Sequence, residues 1–352
     1  MALDPDILDH HIHGAVGDVG AAVSVALMHL GDRLGLYQAM AGAGPVTAAQ
    51  VATRTHNRER YVREWLNNQA AGGQVTYEPA DDTYTLPDES AFLLADEESP
   101  LFLGGLFDVM QSLYADTGKL EQAFRTGDGV GWGDHDHRLY SGTARFFRPG
   151  YVANLVQNWI PSLDGVEQRL GDGAQAADIG CGFGVTTILM AQAFPESSFV
   201  GFDAHDASIA AARKAAAEAG VNDRVTFEVA TAKDFPGTGY DLITFFDCLH
   251  DMGDPVGALR HASAALARGG TVMLVEPNAG DTSAGNLHPR GRLFYGVSTM
   301  VCTPASCAQE VGLGLGAQAG EARWRQLFEE AGYPSLRRAT ETPFNIVLEA
   351  KS

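Results

Sequence analysis

Apolar residues recur at helical spacing along residues 20–40, at Val23, Val25, Ala26, Met28, Leu30, Leu34 and Leu36, and predict an amphipathic helix. Residues 46–73 read as two more helices. The first opens at Thr47, an N-cap with Gln50 three positions on. The period then shortens to two: residues 75–78 and 83–86 flank a turn at Ala80-Asp81-Asp82 and predict a short hairpin. Residues 101–165 are again mostly helical in pattern, with one Gly- and His-rich break at 127–137. Beyond residue 174 apolar runs at 175–179, 199–202, 225–229, 240–246, 271–275 and 344–350 alternate with helical stretches at 187–194, 207–219, 255–267 and 322–331. Strand and helix in strict alternation predict a parallel sheet covered by helices on both faces.

Three segments follow: 1–100, 101–165 as a helical connector and pocket segment, and 166–352 as an α/β domain. Three helices and a hairpin make a winged-helix pattern, whose usual partner elsewhere is DNA. Charge opposes that partner here. The chain carries 24 Lys+Arg against 44 Asp+Glu, a net charge of −20, which repels phosphate backbones. Residues 1–100 hold 5 Arg, no Lys and 15 acidic residues, although Arg54, Arg58, Arg60 and Arg63 cluster near the candidate recognition helix. No run of apolar residues reaches membrane-spanning length, the first residues lack a secretory pattern, and Cys181, Cys248, Cys302 and Cys307 form no CxxC pair. A cytoplasmic protein with neither nucleic acid nor membrane as partner is expected. Cys302 and Cys307 read as small buried apolar residues.

The chemistry concentrates at Ala177-Asp178-Ile179-Gly180-Cys181-Gly182-Phe183-Gly184, which follows a strand and opens a helix. Glycines at 180, 182 and 184 allow a tight turn and close approach of a ligand; such a loop alone is common to many nucleotide sites. Asp178 repels a pyrophosphate and suits a ligand bearing an ammonium group. Asp203 ends the next strand, where a carboxylate can accept from both ribose hydroxyls. No GK[ST] follows, so a P-loop is excluded.

The ordered set DIGCGFG, Asp203, YDLITFFD and GGTVMLVEP resembles the class I S-adenosylmethionine-dependent methyltransferases over roughly residues 165–352. With the winged-helix pattern before it, the whole chain is similar to the O-methyltransferases of the plant caffeate and bacterial natural-product type. The resemblance implies a Rossmann-like seven-stranded sheet whose last strand pair is antiparallel. It implies a mainly helical N-terminal winged-helix domain that serves homodimerisation, and S-adenosylmethionine as cofactor with S-adenosylhomocysteine as product. Asp178, Gly180, Gly182, Gly184, Asp203, Ala204 and Phe246 are then the expected cofactor residues. One position departs from the pattern: Thr231 stands where many relatives carry an acid that reads adenine, which leaves Thr231, Ala232 and Asp234 as candidates there.

By the same resemblance His250, in Leu249-His250-Asp251, is the general base that takes a proton from an acceptor hydroxyl; the residue alone also fits a wall of the adenosine pocket with no part in proton transfer. Glu276 and Glu321 are the acids expected to orient it. Trp132, His137, Phe146, Phe147, Tyr151, Phe294, Tyr295, Met300 and Cys302 are candidates for an apolar pocket suited to a small aromatic or polyketide-like acceptor. Two other readings stay open. His250, Asp251 and His288 could form a facial metal triad for C-methylation of a 2-oxo acid, whereas the favoured reading needs no metal. A cofactor-sensing winged-helix regulator without turnover is the second.

Overall fold

The computed structural model describes residues 3–351. The chain divides into two compact units, one of residues up to 111 together with 141–149, the other of residues 112–140 together with 150 onward. The segment 101–165, expected as a connector of its own, is thus shared between them.

In the first unit α1 (Pro5–Arg33) starts well before the apolar repeat becomes visible, because Asp4 caps it through the amides of Asp6 and Ile7 and Pro5 occupies its first turn. The predicted helix over 20–40 is two helices: Gly35 sits at φ +67° and separates α1 from α2 (Leu36–Met40). In α3 (Ala48–Arg54) Thr47 and Gln50 form the expected reciprocal cap. The amphipathic α4 (Glu59–Ala71) buries Val62, Trp65 and Leu66. Strands β1 (Thr76–Glu78) and β2 (Thr83–Thr85) pair as the expected antiparallel hairpin, and α5 (Asp88–Leu94) follows. Tyr37, Trp65, Leu66 and Tyr84 are central to one apolar core, in which the Tyr37 hydroxyl donates to Gln69 Oε1 at 2.6 Å.

The arginine cluster is largely matched from within. Arg63 pairs with Asp82 at 2.9 Å and with Glu59, Arg60 with Glu64, and Arg54 bonds the carbonyl of Ala39. One composition expectation needs correcting. By length and composition α1 could cross a bilayer, with a mean hydropathy of 1.4 over its most apolar stretch, because Gly and Ala dilute the residue-by-residue impression of a broken run. Leu8, Ile12, Val16, Val19 and Val23 lie exposed three or four residues apart along it, on one face of the helix.

Helices α6 (Gly104–Ala115) and α8 (Arg138–Asn154) each contribute residues to both units, and α7 (Thr117–Thr126) lies in the second. The second unit continues through α9 (Val166–Asp172), β3 (Gln175–Ile179), α10 (Val185–Ala193), β4 (Ser198–Asp203), α11 (Asp206–Glu218), β5 (Val225–Val229), β6 (Tyr240–Phe246), α12 (Pro255–Ala265) and β7 (Leu266–Pro277). It closes with α13 (Pro289–Val297), α14 (Thr303–Cys307), α15 (Gly320–Ala331), β8 (Leu336–Glu341) and β9 (Asn345–Lys351). The seven strands are ordered β5-β4-β3-β6-β7-β9-β8, parallel except that β9 runs antiparallel to both of its neighbours. Apolar runs such as Leu242–Phe246 and Val272–Val275 are buried on both faces, as central parallel strands require. Strand order reverses between β3 and β6, so the crevice at their carboxyl ends is the expected ligand position.

Candidate active site

The loop leaving β3 is held from below and from the side. Asp178, at 1% exposure, accepts from the hydroxyls of Thr186 and Thr187 at 2.6 Å each and of Thr244 at 3.0 Å. Burial raises its carboxyl to about 6, against those three hydroxyl bonds. Asp203 accepts from the amide of Gly182 at 2.9 Å and of His205 at 2.8 Å, which ties the loop to the end of β4. The glycines differ in kind. A Cβ on Gly184 would lie 2.5 Å from Phe227, so that position serves packing, whereas a Cβ on Gly182 would meet nothing within 4 Å. Gly182, at φ +53°, therefore presents backbone to open space.

At the end of β6 the chain makes a left-handed step at Asp247, φ +49°. Its buried carboxylate accepts from the Tyr151 hydroxyl at 2.9 Å and from Asn345 Nδ2 at 2.8 Å, and burial beside Glu276 raises it to about 7. The short helical turn Leu249–Asp251 then presents His250, which is 4% exposed. Its Nδ1 donates to Glu276 Oε2 at 2.5 Å, and its backbone amide to Glu276 Oε1 at 3.3 Å. Its Nε2 lies 3.2 Å from Asp251 Oδ1. Burial works to lower the imidazole, but Asp251 and Glu276 outweigh it and hold the ring well above its usual range.

Asp178, Asp203, Asp247, Asp251 and Glu276 thus crowd the carboxyl ends of β3, β4, β6 and β7. Their hydrogen-bond and ion-pair partners are hydroxyls, backbone amides, one asparagine and His250. Burial raises four of them, Asp178, Asp203, Asp247 and Glu276. So much partly uncompensated negative charge suits a cationic ligand.

Other expected residues are distributed as follows. Phe246 is buried between Tyr151 and Trp159, with centroids 5.6 and 6.5 Å away. Ala204 is exposed just past β4. Asp234 Oδ1 accepts from both the amide and the hydroxyl of Thr231 at 2.7 Å, so these two close a surface turn on one another around Ala232. Glu321 is a correction: its carboxylate is held by Arg325 and Arg338, each at 2.7 Å, and the second acid at His250 is Asp251. His137 is another, for its side chain is 86% exposed at the start of α8. The buried histidine of this stretch is His135, two residues earlier, whose Nδ1 lies 2.9 Å from Asp116 Oδ2.

Trp132 packs toward Tyr140, which lies 4.4 Å from the ring of His205 and so beside the end of β4. Phe294, Tyr295 and Met300 are half-buried on α13 and the turn after it. Phe146 and Phe147 belong to the first unit, their rings 5.1 Å apart. His288 does not join His250. It is exposed and caps α13 by accepting from the amide of Gly291, which removes the proposed two-histidine triad. Cys302 is more than an apolar filler, since its buried thiol lies within 4.8 Å of ligand atoms of both His250 and Asp251. Asp247 and Asp251 were visible as acids past a strand end; the groups beside them, Tyr151 and Asn345 at Asp247 and Cys302 near Asp251, are all far away in sequence.

Comparison with known proteins agrees with this geometry. A family described as "Methyltransferase domain" matches residues 170–332, and one described as "Rv2258c-like winged HTH domain" matches residues 21–96. The ubiquinone biosynthesis O-methyltransferase of Pseudomonas aeruginosa (strain LESB58) is 31% identical over 152 residues, 42% of this chain and 58% of that protein. The chain thus spans a little over half the length of that curated relative. Among solved structures, the mitomycin 7-O-methyltransferase MmcR superposes with a TM-score of 0.71 at 20% identity, covering 99% of this chain and all of that one. NcsB1, an O-methyltransferase from neocarzinostatin biosynthesis solved with S-adenosyl-L-homocysteine and 1,4-dihydroxy-2-naphthoic acid, gives 0.65 at 20% identity, covering 95% and 97%. The chain therefore carries a methyltransferase domain behind a winged-helix domain and has the fold of the class I O-methyltransferases.

Proposed function

We propose that the protein is an S-adenosylmethionine-dependent methyltransferase that methylates a hydroxyl of a small aromatic or polyketide-like acceptor. The observation that carries this reading is the group of five carboxylates around one imidazole at the carboxyl ends of β3, β4, β6 and β7. A sulfonium nucleoside with an ammonium group offers the positive charge that group needs. Gly182 presents its backbone to the nucleoside in a loop whose tight bends Gly180 and Gly184 allow, Asp178 supplies negative charge beneath it, and Asp203 is the ribose acceptor. When bound, S-adenosylmethionine supplies an electrophilic methyl whose transfer breaks a carbon–sulfur bond and neutralises the sulfur.

The protein's part is to hold the acceptor oxygen in line and to receive its proton. Glu276 fixes the tautomer of His250 by accepting from Nδ1, which leaves Nε2 as the basic nitrogen. The hydroxyl proton goes to Nε2 as the oxygen–carbon bond forms. Asp251 and Glu276 stabilise the resulting imidazolium. Tyr151 and Trp132, with the half-buried Phe294, Tyr295 and Met300, are the aromatic and apolar groups of the second unit offered to the acceptor.

The partner in assembly is a second copy of the chain. The apolar stripe of α1 fits a protein face better than a lipid surface, because an acidic chain is repelled by anionic headgroups. Calorimetry with S-adenosylmethionine and S-adenosylhomocysteine tests the cofactor. Transfer of labelled methyl to a panel of phenols, enols and amines tests the acceptor class. Binding heats with labelled phenol products are expected; no heat with either nucleoside overturns the reading.

A further inference from the structure

We propose that His250, Asp251 and Cys302 form a binding site for a thiophilic divalent cation of the zinc class, and that an ion there silences the histidine by occupying its free ring nitrogen. One ligand atom from each of the three residues lies within 4.8 Å of the others. His250 and Cys302 are each 4% exposed. Asp251 Oδ1 is buried without a hydrogen bond, 3.2 Å from His250 Nε2. A buried carboxylate oxygen with no hydrogen bond, whose near neighbours are an imidazole nitrogen and a thiol, offers a cation a lone pair that no hydrogen bond occupies.

Tetrahedral zinc with bonds of 2.0–2.3 Å needs donors about 3.3–3.6 Å apart, so the His–Asp pair already stands close to the required spacing. Nitrogen, oxygen and sulfur donors together favour zinc over magnesium or calcium. Glu276 completes the arrangement: by accepting from Nδ1 it points Nε2 outward and raises its basicity, the usual support of a metal-bound imidazole. Cys302 ends a π-helical turn, Ser298–Cys302, a distortion that sets its side chain apart from an ordinary helical register. Three protein ligands leave one position for water.

The ion and the acceptor proton compete for the same nitrogen, so the expected effect is reversible inhibition. The binding claim stands without the methyltransferase reading; the inhibition rests on it. Full-length protein treated with a chelator and titrated with Co²⁺ is expected to take one equivalent, with tetrahedral visible bands and a near-ultraviolet sulfur-to-cobalt charge-transfer band. Cys302→Ser removes that band and Cys307→Ser keeps it. Absence of a saturable equivalent, or a band that survives Cys302→Ser, overturns the site.

Should Cys302→Ser fail to fold, Glu276→Gln decides: with the orienting acid gone, Zn²⁺ affinity falls roughly 10–100-fold, and unchanged affinity overturns the site. Zn²⁺ is expected to stop methyl transfer and a chelator to restore it. Bound Zn²⁺ without loss of turnover overturns the inhibition. A protein that binds Co²⁺ but methylates nothing sinks the methyltransferase reading and leaves the metal site standing.

Discussion

A single imidazole sits between two acids, and its behaviour follows from which nitrogen each acid holds. Glu276 has no exposed surface and bonds both the ring and the amide of His250, so it fixes position as well as charge. If His250 takes the acceptor proton, His250→Ala lowers kcat by roughly 10²–10⁴-fold and leaves the dissociation constant of S-adenosylhomocysteine unchanged. Single-turnover rates and calorimetry check the two separately, and unchanged turnover places proton removal elsewhere. The pH profile adds a sign. A base works unprotonated, so activity rises as pH climbs through a ring value that Asp251 and Glu276 hold high against burial. Glu276→Gln removes one of those charges, so the rising limb moves to lower pH even as the maximum falls. A limb that stays in place assigns it to another group.

The elements around the imidazole explain both what the sequence made legible and what it hid. The glycine loop was readable because its demands are local: strand, bend, helix, with Asp203 one strand on. Its members nevertheless do different work. Gly182→Ala meets no neighbour and costs the strain of a left-handed residue, about 1–2 kcal/mol, yet it puts a methyl where the nucleoside would lie. Gly184→Ala drives a methyl into Phe227 and Ala212 and adds overpacking of about 1–3 kcal/mol to similar strain. Scanning calorimetry and ligand titration are expected to separate them: Gly184→Ala melts lower than Gly182→Ala, whereas Gly182→Ala loses affinity while folded. Wild-type affinity in Gly182→Ala removes this backbone contact with the nucleoside.

Elements set by distant partners were hidden. Strand β8 has the polar sequence Leu336–Glu341, ordered by pairing with β9 and by Arg337 on Asp164 and Glu349. Glu321 meets Arg325 one turn along α15, a local i,i+4 pair, but it meets Arg338 only because β8 exists, which no local pattern announces. Of the stripe on α1 the apolar repeat took in only Val23, since the helix starts before the repeat is visible and exposure is a property of the fold. Val16→Glu with Val19→Glu is expected to convert a sedimenting dimer to a monomer; a wild-type protein that sediments as a monomer ends that assignment.

Across the whole molecule the buried carboxylates make stability depend on pH in a direction opposite to that of most acidic proteins. Burial raises Asp178 to about 6 and Asp247 to about 7, and it raises Asp203 and Glu276 as well. Unfolding returns them to ordinary values near 4. Between those limits the folded chain holds more protons than the unfolded one, so stability falls as pH rises from about 4 to 7. His250 acts in the same sense: its raised value contributes stability below its ordinary range that is lost as pH climbs through the folded value. Asp116 and Asp136 act in the other sense. Asp116 is lowered, against burial, by Lys119, the amide of Asp136 and His135; Asp136 is lowered mainly by Arg138. Their stabilisation is present above pH 4 and lost below it.

The unliganded protein is therefore expected to melt highest near pH 5 and several degrees lower at pH 8, at roughly 2–4 °C per kcal/mol for a domain of this size. Asp247→Asn flattens part of the fall by removing one of the raised groups. S-adenosylmethionine, whose positive charge is matched only once the carboxylates have ionised, then raises the midpoint more at pH 8 than at pH 5. Thermal melts at both pH values, with and without the nucleoside, check all three statements. A midpoint that is level or rising from pH 5 to 8 without ligand shows that the crowded carboxylates are already compensated, and takes with it the electrostatic case for a cationic ligand.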